Sequence, residues 1–148
     1  MASVFDLAEA ILEQTGEIST VKLQKLVYYC QVWNSVWEDK PIFNDQIEAW
    51  AFGPVVPNLY NKHRGQFSVK PNFFSQFGGN SNNLSKQEKE NIAQVITHYS
   101  KYNSQQLSDM THLEDPWRIA RAGLPDGTAC NNEISLNSIM EYYSKLNG

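Results

Sequence analysis

The stretch STVKLQKLVYYCQVWNSVW, Ser19 to Trp37, decides the fold. Leu23, Leu26, Cys30, Trp33 and Trp37 recur at helical spacing as one apolar stripe, and Tyr29, Val32 and Val36 form a second beside it. Only a narrow sector, holding Gln24, Gln31 and Ser35, is consistently polar. A helix that is apolar over most of its circumference is buried on several sides. With Ser19 as its cap, the spacing predicts a central helix over 20–37.

Outward from this helix, Val4, Phe5, Ala8, Ile11 and Leu12 predict a preceding helix over 3–15, capped by Ser3 and stopped by Gly16. Prolines 41, 54, 57 and 71 then break the periodicity. Ile47–Phe52 reads equally as a strand or a helical turn, and Val55–His63 as a short helix entered through Gly53-Pro54. The run Gly78–Asn83 reads as a surface loop with nothing to bury. Ser85 and Glu88 form a capping box for a helix reaching about Tyr102. Ser104 caps a short helix to His112, Asp115-Pro116 opens the next, Gly123 closes it, and Ser135 caps the last. The expected class is mainly α: a compact single domain over 1–148, with about seven helical segments around the buried central helix and at most a minor strand pair.

Composition narrows function. Twelve basic and sixteen acidic residues leave a net charge of −4, a poor match for the clustered cations that neutralise phosphates. The start, Met1-Ala2-Ser3-Val4-Phe5-Asp6, lacks a basic segment and a long apolar run, so no signal peptide and no membrane span are expected. Cys30 and Cys130 stand a hundred positions apart without a CxxC, which suits two reduced thiols in a cytoplasmic protein. His63, His98 and His112 fall in separate elements without metal-ligand spacing, and no nucleophile elbow occurs; no cofactor and no metal are expected.

Three functional readings stay open on these residues. A helix–turn–helix reading would aim Thr20, Lys22, Gln24 and Lys25 at a DNA groove, against the plain reading of a structural hairpin. A small hydrolase would rely on His112 with Glu114 and Asp115, against a structural histidine at a helix C-terminus, where a cation suits the dipole. A protein-binding reading uses the aromatics of the irregular zone. Trp50, Phe52 and Tyr60 accompany Lys62, His63 and Arg64, while Phe67, Phe73, Phe74 and Phe77 surround Pro71. Trp50 equally fits packing beneath the loop, and Tyr60 divides evenly between core and surface. The candidate partner surface is therefore Tyr60, Lys62, His63 and Arg64 with Phe73 or Phe74, and the 78–83 loop or the last helix comes next.

Three ordered blocks also carry a resemblance. Lys22-Leu23-Gln24-Lys25-Leu26-Val27-Tyr28-Tyr29 resembles the KLQKLxYY helix of the Panacea domain family, which includes SocA antitoxins and phage-associated GepA-like proteins. Glu48-Ala49-Trp50-Ala51-Phe52-Gly53-Pro54-Val55-Val56-Pro57-Asn58-Leu59-Tyr60 is similar to its EAWxxGPVVPxxY signature. Leu107-Ser108-Asp109-Met110-Thr111-His112 with Pro116-Trp117 resembles its LSxxTHxxxPW element. The resemblance implies a helical, non-enzymatic antitoxin that binds a cognate protein toxin directly and, in SocA-type members, delivers it to a Clp-type protease. No fused DNA-binding domain is expected before the first helix, and most motif residues are expected to build scaffold.

Overall fold

In the computed structural model, which describes residues 1–147, α2 (Thr20–Glu38) is the axis of the fold. Helix α1 (Val4–Thr15) packs on one side of it, and α4 (Lys86–Tyr99), α5 (Ser104–His112) and α7 (Leu136–Asn147) on others. Helices α3 (Pro57–His63) and α6 (Asp115–Ala120) are short. The molecule is 59% helical, with two small antiparallel pairs: β1 (Ile18–Ser19) with β4 (Ser68–Val69), and β2 (Glu48–Trp50) with β3 (Gly53–Val55). This is the expected mainly α single domain. No helix among the described residues is long and apolar enough to cross a membrane.

Caps set the helix starts. Ser3 and Asp6 exchange side-chain bonds with each other's backbone, as do Ser85 and Glu88, and Ser19 Oγ accepts from Lys22 N. Four boundaries differ from the sequence reading. Asn103 rather than Ser104 caps α5, because Gln106 three residues on completes its capping box. Helix α4 ends at Tyr99, short of Tyr102, and Glu114 occupies the cap position of α6, so that Asp115 is already helical. Helix α3 begins only at Pro57, since Val55 is consumed by the β2–β3 ladder.

The polar sector of α2 is the main correction. Gln24, Gln31 and Ser35 are buried; the two glutamines serve the backbone groups of the irregular segments that wrap the helix, whereas Ser35 Oγ has no hydrogen-bond partner. Gln31 Oε1 accepts from Ile42 N at 2.8 Å while its Nε2 donates to Phe43 O at 2.8 Å. Gln24 Oε1 accepts from Val56 N at 2.9 Å. Trp33 and Trp37, expected in the core, are only partly buried at its margin. The 78–83 segment is likewise not a free loop. Asp6 Oδ1 accepts from Asn80 N at 2.8 Å, and Gly79 lies so close to α1 that a Cβ there would sit 2.7 Å from the Phe5 carbonyl oxygen.

Helix α7 is held to α2 by a phenol network. Glu114 Oε1 accepts from the hydroxyls of Tyr29 and Tyr143, each at 2.7 Å, and Tyr143 meets Tyr28 at 3.0 Å. Tyr29 stacks on Tyr99 with centroids 4.1 Å apart, and Trp33 Nε1 donates to the Tyr99 hydroxyl at 2.9 Å. Burial raises the Glu114 carboxyl above its ordinary value, more than its two hydrogen bonds lower it, and burial pushes the three core phenols up as well.

Candidate functional site

A groove of about 600 Å³ opens between the start of α2, the β2–β3 hairpin, α3 and the segment at 129–131. The hairpin exists because residues 51 and 52 form a two-residue connection and Gly53 takes φ 120°, a conformation that suits glycine. A Cβ on Gly53 would lie 2.6 Å from Lys25 Cε and 2.9 Å from Thr111 Oγ1. Glycine thus lets the Lys25 side chain pass beneath the hairpin, where Nζ donates to Pro54 O at 3.1 Å. Lys25 is 1% exposed, and burial pushes its ammonium down to about 7. Phe52, at the hairpin tip, is 74% exposed and forms part of the groove rim with the exposed Val21.

The remaining wall is aromatic. Trp50 and Tyr60 meet edge-on at 4.9 Å between centroids, and Tyr60 meets His63 at 5.4 Å. Because Gln24 Oε1 is committed to Val56 N–H, its Nε2 donates to His63 Nε2 at 2.9 Å, leaving the ring proton on Nδ1. Burial lowers the His63 pKa, and the Lys25 charge adds to the effect, so the ring is a neutral wall component.

The third wall is held at a distance by one side chain. Arg121, 1% exposed, donates to Ala49 O at 3.0 Å, Pro125 O at 2.8 Å, Asp126 O at 3.3 Å and Thr128 O at 2.5 Å, and it stacks on Trp117. This fixes the loop leading to Ala129, Cys130 and Asn131 beside the hairpin. Farther on, Ala49 N donates to Asn132 O and Ile134 N to Ile47 O, extending the hairpin edge.

The expected partner surface is therefore divided. Tyr60 and His63 line the groove, but His63 is buried, with only its neighbours Lys62 and Arg64 exposed. Phe74 is fully buried against Phe5, Phe73 and Phe77 and cannot meet a partner, because Glu9 Oε2 accepts its backbone N–H and draws the turn onto α1. Phe73 is partly buried in the same cluster. Lys62 Nζ lies 5.3 Å from the Phe77 ring centroid. Both cysteines are free, Cys30 in the core and Cys130 at the groove lip.

The geometry also bears on the two other readings left open by the sequence, the DNA reader and the His112 hydrolase. Thr20, Gln24 and Lys25 are buried, and Lys22 Nζ donates to Ser100 O at 2.6 Å, so this helix offers no reading face to DNA. His112 stacks on Trp117 at 3.9 Å, and burial lowers its pKa, so it is a neutral ring rather than a cation at a helix end. Asp115 is exposed and pairs with Arg118 at 4.0 Å instead of His112. Trp117 Nε1 donates to Trp50 O at 2.8 Å, so the motif around Pro116 buttresses the hairpin from behind. Among the motif residues, Leu23, Leu26, Tyr28, Tyr29 and Ala49 are core, Glu48 accepts from Trp50 Nε1 at 2.8 Å, and Pro54 and Val55 are buried in the hairpin. No group of three or more His, Cys, Asp or Glu side chains among the described residues could hold a metal ion.

The sequence reading did not assign Lys25, Phe52 or the 129–131 segment to one surface. Lys25 had a signal: it stands four residues before Tyr29, on the line that Tyr29, Val32 and Val36 continue. The family described as antitoxin SocA-like, Panacea domain, matches residues 23–118, well over half of the chain. The matched span holds the hairpin, α3 and Lys25, but not Val21 or the 129–131 wall. No curated protein and no solved structure matches.

Proposed function

The chain belongs to the SocA-like Panacea antitoxin family, and from that premise we propose that it neutralises a cognate protein toxin by direct contact in the Trp50–Tyr60 groove. The observation that supports this most is Phe52, held 74% exposed at the tip of a hairpin that the rest of the fold is built to fix. An aromatic side chain on a rigid element loses little entropy on binding and buries much area, which is how interface hot spots arise. The protein acts as a binding module without catalysis or cofactor. The exposed Lys62 and Arg64 beside the groove steer encounter more than they set affinity.

The test is rescue of cells expressing the toxic product of an adjacent reading frame. Phe52→Ala and Tyr60→Ala should each weaken toxin binding by about tenfold or more, with melting temperatures near that of the parent. Full rescue by both variants places the toxin elsewhere, first on the 78–83 segment or on α7.

A further inference from the structure

The groove floor holds a buried cation that the fold leaves largely unsatisfied. Lys25 Nζ has three protons, and its one hydrogen bond is to Pro54 O. Among the described residues no carboxylate lies within 4.0 Å of it, and it is the only lysine, arginine or acidic side chain lining the groove. Arg121 makes the contrast. Equally buried, it reaches four carbonyl oxygens through its two terminal nitrogens and leaves only Nε without a partner, whereas Lys25 Nζ reaches a single oxygen. A buried charge without a partner is costly, and an oppositely charged group arriving with its own apolar cover relieves that cost.

We propose that the groove selects a segment of the protein partner that carries one acidic side chain between apolar ones, the carboxylate docking on Lys25 Nζ while its neighbours cover Trp50, Phe52 and Tyr60. This rests on the toxin-binding reading of the same groove and adds the chemistry of what enters it. A phosphate or a chain-terminal carboxylate is a poorer fit. Such groups are held by several cations or by a nest of backbone N–H donors, whereas Pro54 has no N–H and that of Val56 is taken by Gln24. His63 adds no charge, since its Nε2 accepts from Gln24. The walls are aromatic and aliphatic, which suits apolar flanks. Burial alone draws the ammonium towards neutrality, to about 7, the response expected of a cation without a counter-charge.

The experiment compares two blocked peptides, acetyl-Phe-Glu-Leu-amide and acetyl-Phe-Gln-Leu-amide, by NMR of the Lys25 ε-methylene and the Trp50 indole. The Glu peptide should bind about tenfold more tightly than the Gln peptide at pH 7.5, and it should raise the Lys25 midpoint by about one and a half pH units, the two effects being linked. Lys25→Met should abolish the preference while keeping the affinity of the Gln peptide; if that variant does not fold, the wild-type titration decides alone. Equal binding of the two peptides, a Trp50 response without movement of the Lys25 midpoint, or no binding by either at millimolar concentration overturns the proposal. Tighter binding of acetyl-Phe-Leu with a free terminus also overturns it, by moving the carboxylate to a chain end. Toxin rescue that fails in Phe52→Ala while the peptides show no Glu preference defeats this chemistry but leaves the toxin reading. A Glu preference with full rescue by Phe52→Ala and Tyr60→Ala defeats the toxin reading instead.

Discussion

Lys25 and Tyr29 stand one turn apart on α2, and each buries a polar group, but their surroundings resolve that burial in opposite ways. Around Tyr29 the network is closed. Its hydroxyl reaches Glu114, Glu114 also accepts from Tyr143, and Tyr143 meets Tyr28. Around Lys25 the arrangement is open, with one bond to Pro54 O and a groove above. A satisfied buried network rigidifies what it connects, here α2, α6 and α7. An unsatisfied one leaves interaction free energy to be realised only when something else arrives. On one helix, the first region is scaffold and the second is the place to look for a ligand.

The comparison can be broken most forcefully at Gly53. Gly53→Ala introduces a Cβ into Lys25 and Thr111 at a φ that L residues rarely adopt, and it should cost roughly 2–5 kcal/mol in urea unfolding. A variant as stable as the parent would mean that the hairpin and Lys25 do not constrain each other. Next in size, Glu114→Leu strips the acceptor from two buried phenols and should cost roughly 1–3 kcal/mol, with faster amide exchange in α7 and unchanged peptide binding in the groove. Loss of groove binding in that variant would show that the two regions are one unit.

The smallest effect per step sharpens the contrast through pH. Lys25 sits at about 7 when folded and near 10.5 when unfolded, so between these values the unfolded chain holds the extra proton. Stability therefore rises with pH across about 7 to 10, by at most ~1.4 kcal/mol per unit. Glu114 is raised when folded, so the folded chain holds the extra proton just above 4.5, and stability falls as pH rises through that window. Urea unfolding across pH should lose the upper slope in Lys25→Met and the lower one in Glu114→Leu. The same slopes in both variants would assign them to other groups.

Much of the scaffold was legible because local chemistry writes it. Ser3, Ser19 and Ser85 announce helix starts through their own side chains, and the paired stripes of α2 announce a central position. The groove was less so, for three physical reasons. Periodicity scores Gln24 and Gln31 as polar and hence outward, yet an amide is also a good mate for buried backbone. His63 lies between Lys62 and Arg64 in sequence, but successive helical positions are about 100° apart, so a basic triplet does not share a face. The 129–131 wall reaches the hairpin from a distant part of the chain, and nothing local in its composition marks that meeting.

The grip of Arg121 on the loop at 125–128 has a consequence for diversification. Its guanidinium holds main-chain oxygens only, and every amino acid supplies the same oxygen. The loop is thus clamped without regard to its side chains, and its continuation at 129–131 can be rewritten while the clamp stays shut. Like interchangeable bits in one chuck, different lips could be mounted on an unaltered Lys25 floor, giving one body a succession of client specificities.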